Sequence, residues 1–168
     1  MYLTSLLAPT HEKSKFTCGK APLDEYIQKR AKQDIKAKVA ACFVFSDDDK
    51  KIIGYYTLSN DSIPRHILPE HVINKLPKYK DLPVTLLGRL AIHKDAQGQQ
   101  LGQLLLMDAL KRSYDSSFSI GSMAVVVDPI DESARMFYSK YGFIQLPDNN
   151  RMFLPIKTIE QVYLNSVL

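Results

Sequence analysis

Two short stretches hold residue types that could do chemistry. The first is AQGQQLGQ, from Ala96 to Gln103, set between the apolar runs TLLGRLAIH and LLLMDALKR. A glycine-bearing polar bridge between a strand-like and a helix-like segment puts backbone N–H groups at a helix N-terminus. Unpaired donors and a partial positive charge stabilise an anion there. Gly98 permits a tight turn, and Gly102 removes a Cβ from the first helical turn, where a bulky ligand backbone could lie close. The stretch lacks G-x-G-x-x-G and lacks the Lys-Ser/Thr of a P-loop. On spacing alone, an anion cradle and a plain glycine turn feeding a helix fit equally.

The second stretch is ESARMFYSKYGFIQL, in which Ala134, Phe137, Tyr138 and Tyr141 fall at i, i+3, i+4 and i+7. That periodicity is the buried face of a helix. A tyrosine there is either a core residue whose hydroxyl reaches a partner or a group that works on a ligand. A third feature is cationic. Lys29, Lys32 and Lys36 share a stripe opposite Ile27 and Ala31 at 3.6 residues per turn. Arg30 and Lys38 add to the field, Lys75, Lys78 and Lys80 form a second cluster, and Arg89 lies in the strand before the glycine loop. Such groups give sequence-independent, salt-sensitive contacts to phosphates, or simply a solvated helix face. The net charge of +4 and a pI near 9.0 allow a polyanionic partner without requiring one.

The elements that must position these groups follow from pattern. MYLTSLLAP reads as a first strand and PLDEYIQKRAKQDIKAK as a helix, with Pro22 and Asp24 in its first turn. Leu23, Ile27, Ala31 and Ile35 line its inner face. ACFVFSD and KIIGYYTLSN read as a hairpin. PRHILPEHVINKLPKYKDLP reads as an irregular connection with a short helix after Pro69, and VTLLGRLAIH as a central strand. The next helix, GQQLGQLLLMDALKRS, is expected to turn Leu101, Leu104, Leu105 and Ala109 inward, with Lys111 and Arg112 at its negative end. At its entry φ is negative, so Gln100 is expected to fit with its side chain outward. SMAVVVD reads as a buried strand and DESARMFYSKY as a helix stopped by Gly142. GFIQLP and RMFLP read as strands, and IKTIEQVYL as a helical tail. This order is α+β, around one mostly antiparallel sheet.

At 168 residues, 45% hydrophobic and 24% charged, the chain is expected to be a single globular domain over residues 1–168. MYLTSLLAPTHEKSK has no basic start and only a short apolar run, unlike a secretory signal, and no run approaches a membrane span. Cys18 and Cys42 have no paired spacing, and the four histidines have no metal-ligand spacing. No metal, no membrane association and a cytoplasmic location are the expectations.

Taken together, LLGRLAIHKDAQGQQLGQLLLMDAL and AVVVDPIDESARMFYSKYGF resemble the GNAT superfamily of acetyl-CoA-dependent N-acetyltransferases. The family's A-x-x-F-Y-x-x-x-G-F pattern is complete in Ala134, Phe137, Tyr138, Gly142 and Phe143. Its pyrophosphate-loop pattern, Q/R-x-x-G-x-G/A, is matched at Gln97 and Gly102, with Gln100 where glycine is usual. A narrower resemblance covers nearly the whole chain. KFTCGKAPLDEYIQKRA, KIIGYYTLS and LPVTLLGRLAI look like the GNAT toxins of type II toxin–antitoxin systems.

The resemblance implies a GNAT-type α+β fold, with a central mixed, mostly antiparallel sheet, helices on both faces, and a splay between the two central strands. It implies that the backbone of Leu90, Ala91 and Ile92 bonds to the pantetheine arm of acetyl-CoA. The N–H groups of Gln97, Gly98, Gln99, Gln100, Leu101 and Gly102 would hold the pyrophosphate, with Ala134, Phe137 and Tyr138 also at the cofactor. It further implies acetylation of the α-amino group of aminoacyl-tRNA, a homodimer and a ribbon-helix-helix antitoxin as partner. Lys29, Lys32, Lys36 and Arg89 are the candidate tRNA contacts. Tyr138 is the candidate general acid: a phenol with a reference pKa of ~10 stays protonated at pH 7 and can donate to a departing thiolate whose thiol pKa is ~8.5. No carboxylate stands out as the base. An α-amino group, with a reference pKa of ~8, needs less help than a lysine at ~10.4. Two other readings are the same chemistry on a small-molecule or protein amine, and a non-catalytic acyl-CoA-binding module. Gln100 speaks for the last, and the intact FYSKYGF against it.

Overall fold

The computed structural model describes residues 1–147 and 149–164. Among these, seven strands follow the order β1-β2-β3-β4-β5-β7-β6. They are β1 Ser5–Leu6, β2 Ala41–Ser46, β3 Ile52–Pro64, β4 Asp81–Ile92, β5 Ala124–Val127, β6 Ile144–Gln145 and β7 Met152–Pro155. The β1–β2, β2–β3, β5–β7 and β6–β7 ladders are antiparallel, and β4–β5 is parallel. The mixed, mostly antiparallel sheet expected from the sequence is therefore present. The chain divides into two compact units, residues 1–59 with 87–112 and residues 60–86 with 113–168.

In the first unit the predicted helix runs as α1 Ala21–Glu25, a π-helical turn over Tyr26–Arg30, and α2 Ala31–Ala37. Tyr26 and Ile27, at the start of the π turn, are both buried, and the four-residue pattern named only Ile27. They join Phe16, Ala31, Cys42, Val44, Ile52, Tyr55 and Ala91 in one core, and Leu23 and Ile35 pack at its edge. Lys38 ends the helix in the left-handed conformation, at φ 62°. Gly54 on β3 is there for space. A Cβ would come within 2.8 Å of Ile92 Cδ1 and 3.1 Å of the Ala91 carbonyl oxygen.

Helix α4, Leu101–Ser117, begins in this unit and differs from expectation in two ways. Its buried face is Leu105, Leu106, Ala109 and Leu110, whereas Leu104 is 50% exposed. Leu106 and Leu110 carry the buried face round to the side away from Leu104, and Asp108 is buried at its edge. Its carboxylate accepts from the Leu3 N–H (2.6 Å), the Thr4 hydroxyl (2.6 Å) and the Tyr56 hydroxyl (2.8 Å). A buried carboxylate needs such donors. Nor does Arg112 sit at the negative end of the helix. Its guanidinium lies over the Tyr2 and Phe43 rings at 3.8 and 4.1 Å and donates to the Tyr56 hydroxyl at 2.9 Å.

In the second unit the four residues of β5 are fully buried, as SMAVVVD suggested. Ala124 and Val126 share a core with Ile63, Leu68, Leu82, Val84, Leu146 and Phe153. The proline-rich connection holds a 3₁₀ turn, Arg65–Ile67, and the short helix α3, Glu70–Ile73, just after Pro69. Helix α5, Glu132–Lys140, is capped by Asp131, whose Oδ1 accepts from the Ala134 N–H at 2.8 Å. Gly142, at φ 89°, closes it. The tail is α6, Ile156–Ile159, followed by a π-helical turn over Glu160–Leu164. Arg151, before β7, grips Asp128 through Nε and its second terminal nitrogen (both 2.9 Å) and Asp61 through the first (2.9 Å). Among the described residues no helix is long and apolar enough to cross a membrane.

Candidate functional site

The glycine loop lies in the first unit, between β4 and α4. After β4 the chain makes a 3₁₀ turn, Lys94–Ala96, which His93 caps by accepting the Asp95 N–H at Nδ1. The Gln97 N–H closes that turn on the Lys94 carbonyl at 3.4 Å. Gly98 then takes φ 79°, with nothing within 4 Å of where a Cβ would stand, so glycine is needed there for conformation and not for space. Gln100 takes φ 60°. This overturns the expectation of a negative φ at the helix entry. Gln100 stands outside α4 as its flanking residue, and its carbonyl accepts from the Leu104 N–H at 3.3 Å. The positive φ itself is what makes glycine the better fit there, and glutamine carries strain.

Among the described residues no backbone carbonyl accepts from the N–H groups of Gly98, Gln99 or Gln100. Together with the first-turn donors of α4 they form an exposed set of N–H groups at the positive end of a 17-residue helix. This donor set fits a pyrophosphate chemically. Upstream, Ala91 and Ile92 are buried and Leu90 half-buried. The side chains of Ala91 and Ile92 are core, as the sequence suggested, and that of Leu90 is not fully buried. The Ile92 carbonyl accepts from the Gln97 side chain at 3.0 Å.

Sequence reasoning missed what holds this loop. The Gln97 side-chain amide also donates to the Cys18 carbonyl at 2.8 Å, and the Lys94 N–H to the Thr17 carbonyl at 2.8 Å. Asp24, read from sequence as a helix-dipole residue, accepts from the Thr17 hydroxyl (2.9 Å) and the Cys18 N–H (2.7 Å). The signal was present as the F-T-C-G stretch, but the bonding partners are 6 to 79 residues away.

Tyr138 lies in the second unit on α5. It is 7% exposed, with its ring in edge or tilted contact with Phe137 and Phe143, both centroids 5.3 Å away. Phe137, Ala134 and Tyr141 are half-buried on the same helix face. Burial pushes the Tyr138 phenol up, and it is the sole cause of the shift. The buried Tyr26 and Tyr56 differ, because hydrogen-bonded carboxylates, Asp34 and Asp108, contribute to theirs. Among the described residues no group hydrogen-bonds to the Tyr138 hydroxyl, and no buried side-chain oxygen lacks a partner, so that hydroxyl is open to solvent.

The cationic residues split. Lys29, Lys32 and Lys36 are exposed, and none is in an ion pair among the described residues. Arg89 is half-buried, with its guanidinium over the Tyr26 ring. Among the described residues no group of three or more His, Cys, Asp or Glu side chains is placed to hold a metal ion.

The loop at a helix entry, the order of strands around it and the FYSKYGF helix define an acetyltransferase. Residues 38–145 match the acetyltransferase (GNAT) domain family, and the chain belongs to that family. It is 35% identical to the tRNA-acetylating toxin of Mycobacterium tuberculosis, over 77% of this chain and 76% of that protein. It is 32% identical to the probable toxin TacT of Sinorhizobium fredii, over 90% of this chain and 89% of that one. Among solved structures, AtaT complexed with acetyl-methionyl-tRNAfMet superposes with a TM-score of 0.88 at 28% identity, covering 95% of this chain and 98% of AtaT. AtaTR bound with acetyl-CoA superposes at 0.83 and 28% identity, covering 95% and 96%.

Proposed function

We propose that this chain moves the acetyl group of acetyl-CoA to the α-amino group of an aminoacyl-tRNA and so blocks translation. The likeness to AtaT, solved with an acetylated aminoacyl-tRNA and matched over nearly the full length of both chains, carries this reading. The N–H groups of the Gly98–Gly102 loop hold the pyrophosphate. The backbone of Leu90, Ala91 and Ile92 receives the pantetheine arm, and Ala134 and Phe137 flank its thioester end. The amine nitrogen attacks the acetyl carbonyl carbon, a C–N bond forms and the C–S bond breaks. Tyr138 gives its proton to the departing sulfur, and water takes the proton released by the amine. The Tyr138 hydroxyl supports that role, because no group among the described residues claims its proton.

The exposed stripe of Lys29, Lys32 and Lys36 meets tRNA phosphates. The protein works in the cytoplasm as a homodimer of one catalytic domain per chain, neutralised by a ribbon-helix-helix antitoxin. Incubation with labelled acetyl-CoA and total charged tRNA tests the reading. Label is expected on the aminoacyl end of the tRNA and released with the amino acid on deacylation. Label on free amines or protein lysines, with none on charged tRNA, would replace the tRNA substrate by another amine.

A further inference from the structure

The segment Phe16–Cys18 is bonded on both sides. Toward the first helix, the Phe16 carbonyl accepts from the Gln28 side chain (2.7 Å), and Asp24 takes the Thr17 hydroxyl and the Cys18 N–H. Toward the glycine loop, the Thr17 carbonyl accepts from the Lys94 N–H and the Cys18 carbonyl from the Gln97 side chain. Phe16 anchors the middle, 1% exposed, edge-on to the rings of Tyr55 (5.4 Å) and His93 (5.7 Å). A continuous path of four hydrogen-bonding groups therefore runs from Asp24 on α1, through Thr17–Cys18, to Gln97 at the start of the loop.

Gln97 spends its side-chain amide inside the protein. One nitrogen bridges the Cys18 and Ile92 carbonyls and fixes the spacing between the F-T-C-G segment, the end of β4 and the loop. Neither Gln97 through its side chain nor Asp24 is free to bind a phosphate directly. We propose that Gln97 and Asp24 are positioning residues for acetyl-CoA: acting through the Thr17–Cys18 segment, they set where the Gly98–Gln100 N–H groups point. This rests on the reading of that loop as the pyrophosphate site. The first helix, which bears the lysine stripe, is thereby joined to the cofactor loop by directional bonds and not by apolar packing alone.

The test is calorimetric titration of the full chain with acetyl-CoA, for wild type, Gln97→Met, Asp24→Asn and the double variant. Each single change removes or weakens one hydrogen bond on the path, and the expected loss for Gln97→Met is about tenfold in Kd. The double variant is expected to lose little more than the weaker-binding single variant, because both changes release the same segment. Acetyl-pantetheine, which has no pyrophosphate, serves as the control substrate. In Asp24→Asn, which touches neither the loop nor β4, its slow turnover is expected to stay within about twofold of wild type. Thr17→Val, which deletes only the hydroxyl bond to Asp24, gives a smaller change in the same direction should Asp24→Asn fold poorly.

Equal acetyl-CoA affinity across the variants, losses that multiply in the double variant, or a parallel loss with acetyl-pantetheine in Asp24→Asn would each overturn the positioning role. Failure of the wild type itself to bind acetyl-CoA would instead remove the reading of the loop.

Discussion

The guanidinium carbon of Arg89 lies 3.6 Å from the centre of the Tyr26 ring, and the Tyr26 hydroxyl donates to Asp34 at 3.1 Å. Tyr26 opens the π-helical turn, and its ring is buried under the arginine. A guanidinium stacked on a ring at a half-buried site contributes about 1–2 kcal/mol, partly through its apolar stem. Arg89→Ala is therefore expected to lower stability by about that amount in urea denaturation. Arg89→Lys is expected to restore less than half of the loss, because an ammonium cannot lie flat on the ring. If both variants are as stable as wild type and lose tRNA affinity instead, Arg89 is a nucleic-acid contact and not a packing residue.

Gln100 and Gly98 both hold positive φ, yet only one is glycine. A non-glycine residue there carries about 1–2 kcal/mol of strain, and glycine returns about 0.5–1 kcal/mol as extra freedom in the unfolded chain. Gln100→Gly should therefore be neutral to about 1 kcal/mol more stable, with acetyl-CoA affinity unchanged or tighter. Gly98→Ala should cost about 1 kcal/mol or more, although the space around it is open. Denaturation midpoints and acetyl-CoA titrations of the two variants check this. A marked loss of affinity in Gln100→Gly would show that the side-chain amide itself touches the cofactor.

The contrast between these two residues shows what could be read from sequence. The pattern placed a turn before a helix, and the turn is there. It could not say that Gln100 takes a positive φ, because the residue before a helix ordinarily has a negative one, as Asp131 does before α5. Periodicity found Ile27 and Ala31 and the short helix after Pro69. It missed Tyr26, which is buried beside Ile27, and it turned Leu104 inward where Leu106 and Leu110 fill the buried face. The family motif marked Tyr138 and Gly142. The bonds that steady the loop, from Asp24 and Gln97 to the F-T-C-G segment, join parts of the chain too far apart for spacing to reveal.

The lysine stripe makes a quantitative prediction. Lys29, Lys32 and Lys36 are exposed, so their replacement by alanine together should leave stability within about 0.5 kcal/mol. If each neutralises one phosphate, the slope of log K against log salt for tRNA binding should become shallower by about two to three units. The loss should be similar for different tRNAs, because phosphate contacts carry no sequence information. Filter binding across a salt series measures both quantities. An unchanged slope would leave the stripe as a solvated face.

The buried thiols contribute to the loss of stability at high pH. Burial, with the Asp24 carboxylate beside it, pushes Cys18 from 9.0 up to about 11, and burial pushes Cys42 up to about 12. Both are neutral when protonated, and their folded values lie above the unfolded one. Their contribution is therefore full below pH 9 and is lost as pH rises through the folded values, because the unfolded chain releases its protons first. The urea midpoint should fall steadily between pH 9 and 11. A Cys18→Ala, Cys42→Ala double variant should show a flatter decline over that range, starting from a lower midpoint. Parallel curves for the two proteins would assign the decline to other groups.

Tyr138 has a distinct signature in rate. As general acid it must hold its proton, and burial raises its pKa above the ordinary ~10, so alkaline pH should not disable it within the usual assay range. The turnover number is expected to rise as the acceptor amine loses its proton and then to stay level to about pH 10. Tyr138→Phe should keep acetyl-CoA affinity within about twofold and lose about 10²–10⁴ in turnover. Its remaining activity should show the same rise with pH, since that limb belongs to the amine. A falling limb near pH 8–9 in the wild type that persists in Tyr138→Phe would mean that another group supplies the proton to sulfur. Unchanged turnover in Tyr138→Phe would remove the role altogether.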